Sequence, residues 1–127
     1  MKNTTRLLIL IFTLICFSCS EGDLGDGYYF LPKYESVDVG YPNGEAIVYK
    51  SNQEYLFSDV KIRGDVMKVK SDSEFIIAKR DPLVRRDSNT GLIEYYIIIK
   101  KNDSLIGPLN REIFEKTIGD IGINLEF

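Results

Sequence analysis

Cys19 is the residue whose chemistry the sequence defines best. It follows the small residue Ser18, and the stretch from Leu7 to Phe17 before it is predominantly apolar. Lys2 and Arg6 supply a basic head. A basic head, an apolar stretch and a small residue at the cut are typical of a secretory signal. A cysteine directly after the cut is the acceptor for acylation, so we predict cleavage after Ser18 and lipid on Cys19.

Cys16 is the alternative acceptor. The residue before it is the bulky Ile15, whereas Cys19 follows the small Ser18. A signal peptidase accepts a small residue at that position, which favours Cys19. An ordinary signal peptide cut nearby would leave Cys19 as an odd thiol in an oxidising compartment, which is a less natural outcome.

The predicted attachment is a lipid anchor and not a spanning helix. The apolar stretch is shorter than the about 20 residues that a spanning helix needs, whereas two or more acyl chains hold a protein stably at a membrane. Residues 1–18 are therefore the predicted signal peptide. Residues 19–27 are rich in Gly and Asp and are predicted to form the acylated cysteine and a flexible tether.

The remaining residue types exclude several kinds of catalysis. The chain has no His, and after cleavage its only Cys is the acylated one. Disulfides, Cys/His zinc sites, Cys–His nucleophiles and Ser–His–Asp triads are therefore excluded. Paired carboxylates, a Ser–Lys dyad or a Tyr could still act, but no spacing among them marks a site. The acids of 21–27 miss calcium-loop spacing. We predict no catalytic, cofactor-binding or metal residues and no enzyme activity.

Charge argues against nucleic acid as a partner. Removing Lys2 and Arg6 from the 16 basic residues leaves 14 against 19 acidic ones, a net charge of −5 for the mature chain. Nucleic-acid-binding domains are usually strongly basic. The pairs at 79–80 and 85–86 are basic but each is followed by an Asp. We therefore predict a self-neutralised loop there, with an acidic protein partner as the alternative.

Two further patterns are candidate surface features. The tripeptide Asp103-Ser104-Leu105 resembles the O-glycosylation motif of Bacteroidota envelope proteins, with Ser104 as the acceptor; the alternative is a plain exposed turn. Eight tyrosines are also many for this length. Exposed tyrosines suit binding surfaces, although Tyr also packs within sheets. Among them we single out the N-terminal group that begins with Tyr28 and Tyr29.

Apolar patterning predicts strands first and one helix last. Asn110 is a good N-cap, and Glu112 falls in the first helical turn, where the helix dipole favours an acid. Ile113, Phe114 and Ile118 share a helical face. The strand predictions are Tyr28–Leu31, Ser36–Val39, Ala46–Tyr49, Val60–Arg63, Val66–Lys70, Phe75–Ala78 and Leu92–Ile99. This order predicts one α+β domain over 28–127, with a single antiparallel, twisted sheet of about five to seven strands and the C-terminal helix packed on it.

The C-terminal half carries a family resemblance. The segments Ser73–Lys79, Tyr95–Lys100 and Gly107–Leu109, followed by Phe114, resemble a family of small Bacteroidota-type bacterial lipoproteins of unknown function. The shared features are a Tyr-Ile-Ile strand, Gly-Pro-Leu and a C-terminal helix. The family has no assigned activity, so the resemblance implies no site residues.

Together these features predict an acylated protein of the cell envelope. Ser20 and the acids after it resemble the export signal of surface lipoproteins in the Bacteroidota, which indicates the outer membrane, on its periplasmic or external face. The expected role is a non-catalytic binding module, held at the membrane by its lipid, with a protein partner. The alternatives are an immunity-type inhibitor of an envelope-acting toxin and a small hydrolase with paired carboxylates, which a cleft holding two close acids would favour.

Overall fold

The computed structural model describes residues 22–41, 44–85 and 88–127, and these ranges contain ten strands and two helices. Cys16, Cys19 and the signal segment lie outside them. The elements in chain order are β1 (Asp23–Gly25), β2 (Tyr28–Leu31), α1 (Lys33–Asp38), β3 (Ile47–Lys50), β4 (Asp59–Ile62), β5 (Val66–Ser71), β6 (Phe75–Arg80), β7 (Leu83–Arg85), β8 (Ser88–Asn89), β9 (Glu94–Ile99), β10 (Ser104–Leu109) and α2 (Arg111–Ile121).

The strands form two four-stranded antiparallel sheets and a small hairpin. The N-terminal sheet has the order β1-β2-β3-β4, the C-terminal sheet has the order β10-β9-β6-β5, and β7 pairs with β8. The prediction of a mostly β chain with a C-terminal helix is confirmed, but the prediction of one sheet of five to seven strands is wrong. Alternating apolar residues show where strands are, not which strands pair, and the chain changes sheets between β4 and β5.

Residues 22–27 belong to the folded domain. β1 pairs with β2, the Phe30 amide donates to the Gly22 carbonyl over 2.7 Å, and Leu24 is buried in the core. The Ser71 hydroxyl donates to the Leu24 carbonyl over 3.0 Å. The predicted flexible tether is therefore wrong for these residues, because Leu24 supplies an apolar anchor and the glycines permit tight turns. Residues 19–21 lie outside the described ranges.

The two sheets share one core layer and each has a second covered face. Tyr28 and Val48 of the N-terminal sheet pack with Ile76, Ala78 and Ile98 of the C-terminal sheet. On the far side of the C-terminal sheet, the apolar layer comes from strands β6 and β9, helix α2 and the C-terminal tail. On the far side of the N-terminal sheet, the loop residues Tyr41 and Phe57 cover buried residues of β2 and β3.

Helix α2 begins and packs largely as predicted. The Asn110 side chain accepts a hydrogen bond from the Ile113 amide over 2.9 Å, which confirms the N-cap. Phe114 is buried and stacks on Tyr95, with 4.7 Å between ring centroids. Ile113 is 50% exposed, so its predicted place on the packed face is wrong. Neither helix of the described residues is long and apolar enough to cross a bilayer.

Helix α1 replaces a predicted strand. The alternation of Ser36 to Val39 predicted an apolar face with both valines inward, yet Ser36 is buried and Val37 is exposed. Pro32 stands at the N-cap position in the extended conformation that N-cap residues adopt. The Ser36 hydroxyl donates to the Lys33 carbonyl over 2.8 Å, so the polar side chain is satisfied by the helix itself.

Candidate functional site

A groove separates β5 from the segment that joins β2 to α1. Strand β5 is attached to the N-terminal sheet near its two ends. The Val66 amide donates to the Ala46 carbonyl over 3.2 Å, and the Ser71 hydroxyl donates to the Leu24 carbonyl over 3.0 Å. Residues 67–69 between these attachments line an open space instead.

Two adjoining cavities make up this space. Their volumes are about 490 Å³ and about 730 Å³, and both are lined by Phe30, Pro32, Tyr34 and Met67. Because they share these walls, we treat them as one feature, the inter-sheet groove, to which Tyr55 adds a further wall. The larger cavity also reaches the start of the described chain at Gly22, and the smaller one ends among polar loop residues.

The groove exposes large side chains that would normally be covered. Tyr34 is 68% exposed, Met67 is 54% exposed and Tyr55 is 47% exposed. Scattered apolar residues are ordinary on a protein surface, but several on one concave feature are typical of an interaction site. Tyrosine and methionine suit this role, since a tyrosine ring buries a large area at low entropic cost and a methionine adapts its shape.

Tyr55 is held in an unusual backbone conformation. Its φ is +65°, in the left-handed region that bulky residues rarely adopt. The buried Tyr49 hydroxyl accepts a hydrogen bond from the Tyr55 amide over 2.9 Å. The Tyr49 ring in turn packs edge-on against Phe57, with 5.0 Å between the ring centroids. The core of the N-terminal sheet therefore positions Tyr55.

The Tyr55 hydroxyl lies in a negative environment. The charge of Glu35 raises the pKa of Tyr55, and Glu54 raises it further. Both carboxylates also line the larger cavity. Tyr55 is consequently a neutral phenol near pH 7, and this end of the groove offers an aromatic ring between two hydrogen-bond acceptors.

The opposite end of the groove contains the buried carboxylate of Asp65. Its Oδ1 accepts the Ala46 amide over 3.1 Å, and its Oδ2 accepts the Lys33 ammonium over 3.1 Å. The Asn89 side-chain amide lies 3.4 Å from Oδ2. Asp65 is 8% exposed, so these donors replace the water that the carboxylate would otherwise bind. The residue connects the two sheets and helix α1 at this end.

Asp81 is the second acid at this end. Its Oδ1 accepts the Gly91 amide over 2.9 Å and the Thr90 hydroxyl over 2.9 Å. Its backbone also exchanges two hydrogen bonds with Asp65, over 3.1 and 3.0 Å. Both acids thus organise adjacent loops. Within the described ranges, no three His, Cys, Asp or Glu side chains group closely enough to hold a metal ion.

A second polar cluster joins the N-terminal sheet to the β9–β10 turn. The Asp103 carboxylate accepts the Tyr28 hydroxyl over 2.5 Å and the Lys61 ammonium over 2.7 Å. Lys61 also pairs with Asp59 at 2.8 Å, and the Lys50 ammonium lies 5.0 Å from the Tyr28 ring centroid. We call these five residues the Asp103 cluster.

Opposing effects set the pKa of Asp103. Partial burial acts to raise it, but hydrogen bonds from Lys61 and Tyr28 outweigh burial and hold the pKa below its usual value. Burial, followed by the hydrogen bond to Asp103, raises the pKa of Tyr28. The cluster therefore contains a carboxylate and a neutral phenol at neutral pH, which is a structural connection between sheets.

The residues predicted to lie at the surface differ in their positions and exposure in the structure. Cys19 lies outside the described ranges, and acylation there stays a prediction. Ser104 is half-buried at the start of β10, directly after the hydrogen-bonded Asp103, so its motif is not a plain exposed turn. O-glycosylation of Ser104 stays a prediction. Tyr28 is fully buried, so it forms no binding surface, whereas Tyr29 is half-buried and stacks on Tyr49.

The predicted basic pairs are only partly described. Arg80 donates to the Glu94 carboxylate over 2.8 Å, and Lys79 lies with its ammonium 5.4 Å from the Phe127 ring centroid. Arg85 ends β7, and Arg86 lies outside the described ranges. Sequence reasoning missed Tyr55 and Met67. A tyrosine after the polar stretch 51–54 was the available signal, but sequence does not show its positive φ or the hydrogen bond from its amide to the Tyr49 hydroxyl.

One comparison with known proteins identifies a family. A family model described as a protein of unknown function, DUF3997, matches residues 29–127. The chain belongs to the DUF3997 family. No curated protein and no solved structure matches it. The DUF3997 match begins within β2 and includes the walls of the inter-sheet groove except Gly22, and the Asp103 cluster except Tyr28.

Proposed function

We propose that this DUF3997 protein is a lipid-anchored, non-catalytic binding module of the bacterial cell envelope, which binds a protein partner in the inter-sheet groove. The observation that carries the proposal is the exposure of Tyr34, Tyr55 and Met67 on one concave surface. Covering these side chains with a partner would remove apolar area from water, which is favourable.

The groove is preorganised for binding. Its walls belong to β2, β5 and α1, and Tyr55 is fixed by the buried Tyr49 hydroxyl. Rigid elements lose little conformational entropy when a partner docks, so more of the contact energy remains as affinity. These features support a binding surface that exists before the partner arrives.

The sequence connects the groove closely to the proposed anchor. Gly22 lines the groove, and the proposed acylated residue, Cys19, precedes it by three positions. Three residues span at most about 11 Å. An acyl group on Cys19 would therefore hold the groove beside the membrane surface. We place the protein at the outer membrane, on its periplasmic or external face, from the Ser-acid sequence after Cys19.

The two alternative functions are related to this site differently. An immunity-type inhibitor is a special case of the same proposal, in which the partner is a toxin. A carboxylate hydrolase would need two acids of the groove, and Asp65 and Asp81 line one end while Glu35 and Glu54 line the other, beside Tyr55. The hydrogen bonds that Asp65 and Asp81 accept from the Ala46 and Gly91 amides support a structural role for that pair. We therefore retain the binding module.

Quantitative capture of a partner from envelopes tests the proposal. The acylated, tagged chain is compared with a Tyr34→Ala/Tyr55→Asn variant, in which Asn tolerates the positive φ at 55. The matched control is Leu92→Ala/Ile113→Ala, which truncates two exposed apolar residues away from the groove. Loss of two tyrosine contacts is expected to reduce the recovered partner about tenfold or more, while the control retains it. Equal recovery from both variants would refute the groove as the binding site.

A further inference from the structure

The outer edge of β5 is an unpaired strand edge. In the order β10-β9-β6-β5, β5 is terminal, and among the described residues no strand pairs with its outer side. Its ends are attached near Ala46 and Leu24, and residues 67–69 border the inter-sheet groove between them. Backbone amides and carbonyls on such an edge can pair with an added strand.

One face of β5 is strongly basic. Lys68 and Lys70 are two positions apart and therefore project from the same face of the strand. Lys68 is directly opposite Lys79 on β6. None of these three lysines forms an ion pair within the described part of the chain. Like charges opposite one another destabilise a sheet, whereas opposite charges on neighbouring strands stabilise it.

The other face of β5 is apolar. Val69 packs against the core shared by the two sheets, and the groove walls beside it include Phe30, Pro32 and Met67. A strand added at this edge would alternate its side chains between this apolar space and the lysine face.

These observations define the chemistry of the partner segment. We infer that the groove binds an extended peptide from a partner protein, which adds to the outer edge of β5 and alternates acidic with apolar residues. The acidic side chains lie beside Lys68 and Lys70, and the apolar ones enter the groove. The inference rests on the proposed function and specifies its ligand.

A second copy of the chain fits this edge less well. Symmetric pairing of two β5 strands would bring the lysines of one copy beside those of the other, which costs free energy. A strand that carries acidic residues at these positions would instead be attracted to Lys68 and Lys70. Charge therefore favours a partner of different sequence over self-association.

Synthetic peptides provide the test. The probe is a peptide of about nine residues, within ordinary strand length, in which Glu and Val alternate. The comparison peptides are a Lys–Val peptide and two N-methylated Glu–Val peptides. One of these carries N-methyl groups on the Glu amides and the other carries them on the Val amides, so that in each peptide the methyl groups lie along one edge of the strand. Amide hydrogen exchange of the full chain reports where each peptide binds. The Glu–Val peptide is expected to slow exchange within 67–70, and so is the N-methylated peptide whose methyl groups point away from β5. The Lys–Val peptide and the other N-methylated peptide are not.

Charge reversal adds a second test. In Lys68→Glu/Lys70→Glu, affinity for the Glu–Val peptide is expected to fall about tenfold, because two attractive cross-strand pairs become repulsive. Affinity for the Lys–Val peptide should rise. The matched control, Lys101→Glu/Lys116→Glu, changes two other exposed lysines by the same charge and should bind like the parent chain.

Several results would overturn strand addition. These are equal binding of the Glu–Val and Lys–Val peptides, protection outside β5, and protection of β5 by dimerisation without peptide. Failure of every peptide to protect β5, while the Tyr34→Ala/Tyr55→Asn variant still loses its envelope partner, would overturn strand addition and leave the proposed function standing. If that tyrosine variant keeps its partner, the proposed function itself fails.

Discussion

Asp103 shows how much one side chain contributes to joining the two sheets. It lies in the β9–β10 turn of the C-terminal sheet, yet its carboxylate accepts hydrogen bonds from Tyr28 and Lys61 of the N-terminal sheet. Hydrogen bonds to a charged partner are stronger than those between neutral groups. We therefore expect stability to depend on the charge of Asp103.

The Asp103→Asn variant tests this dependence. The folded pKa of Asp103 is lowered, mainly by Lys61 and Tyr28 acting against burial. Its ionisation therefore stabilises the fold above the unfolded pKa of about 3.9, and this stability is lost as pH falls through the folded pKa. Asp103→Asn should lower the free energy of unfolding at pH 7 by about 1–2 kcal/mol. The free energy of unfolding of this variant should also fall less between neutral and acidic pH than that of the parent chain.

Urea denaturation at several pH values measures both effects. The control is Asp120→Asn, which neutralises an exposed acid on helix α2 and should leave the profile close to that of the parent chain. If Asp103→Asn has the parent's stability and the parent's acid dependence, the Asp103 cluster does not stabilise the fold.

Cys19 carries the proposed lipid, and the alternative acceptor is nearby. Mass spectrometry of the mature N-terminus is expected to show two or three acyl chains on Cys19. Cys19→Ser should release the protein from the membrane fraction, whereas Cys16→Ser should leave attachment unchanged. Lipid on Cys16, or an unmodified Cys19 in the membrane fraction, would show that the predicted processing is wrong.

Some residue roles can be predicted from sequence and others cannot. Asn110 was predicted as an N-cap because its partner, the Ile113 amide, is three residues away. Tyr28 was assigned to a surface but is fully buried, because β3 pairs with it and Asp103, far along the chain, satisfies its hydroxyl. Local interactions are encoded within a few residues, whereas burial depends on distant strands.

At the scale of elements, helix α2 depends on one aromatic side chain. Phe114 is 3% exposed and lies between Tyr95 and Phe127, with ring centroids 4.7 and 5.9 Å away. Ile113 is next to it in sequence but half-exposed. The two neighbours therefore form a natural test of burial on the same helix.

Phe114→Ala should lower the free energy of unfolding by about 3–5 kcal/mol, since it removes a buried ring and leaves a cavity. That is a large share of the about 5–15 kcal/mol of a typical domain. Ile113→Ala should cost much less, because its side chain is already partly in water. Chemical denaturation of both variants measures the difference, and similar midpoints for Phe114→Ala and the parent chain would show that α2 is peripheral.

The change of sheet between β4 and β5 explains why sheet number could not be predicted. The Glu45 carboxylate accepts the Gly64 amide over 3.0 Å and the Arg63 guanidinium over 2.6 Å. A Cβ at Gly64 would lie 2.2 Å from Glu45 Oε2 and 2.9 Å from Glu45 Cβ, so a larger residue there would displace the Glu45 side chain. These contacts join positions about twenty residues apart, which no local periodicity reports.

At the scale of the whole molecule, sequence predicts the class of fold but not the groove. Its walls include Phe30 of β2, Tyr34 of α1, Met67 of β5 and Tyr55 of the β3–β4 loop. They meet because β5 is attached to the N-terminal sheet at both ends but stands apart in the middle. Such an arrangement depends on how two sheets pack, and each wall residue alone has an ordinary sequence environment.

The proposed anchor and the groove together restrict where a partner can bind. Cys19 is three residues before Gly22, which lines the groove, and this length reaches at most about 11 Å. A partner in the groove would therefore lie close to the membrane. The proposed function thus combines a lipid that fixes location with a surface that selects the partner.

Site-specific photo-crosslinking in living cells tests this combination most directly. A photoreactive phenylalanine analogue replaces Tyr34 or Met67 in the groove, or Leu92 or Ile113, which are exposed elsewhere. We predict that both groove positions crosslink to the same partner, that neither control position does, and that Cys19→Ser abolishes the adduct. Equal adducts from the control positions, or no adduct from either groove position, would contradict a membrane-anchored module that binds through the inter-sheet groove.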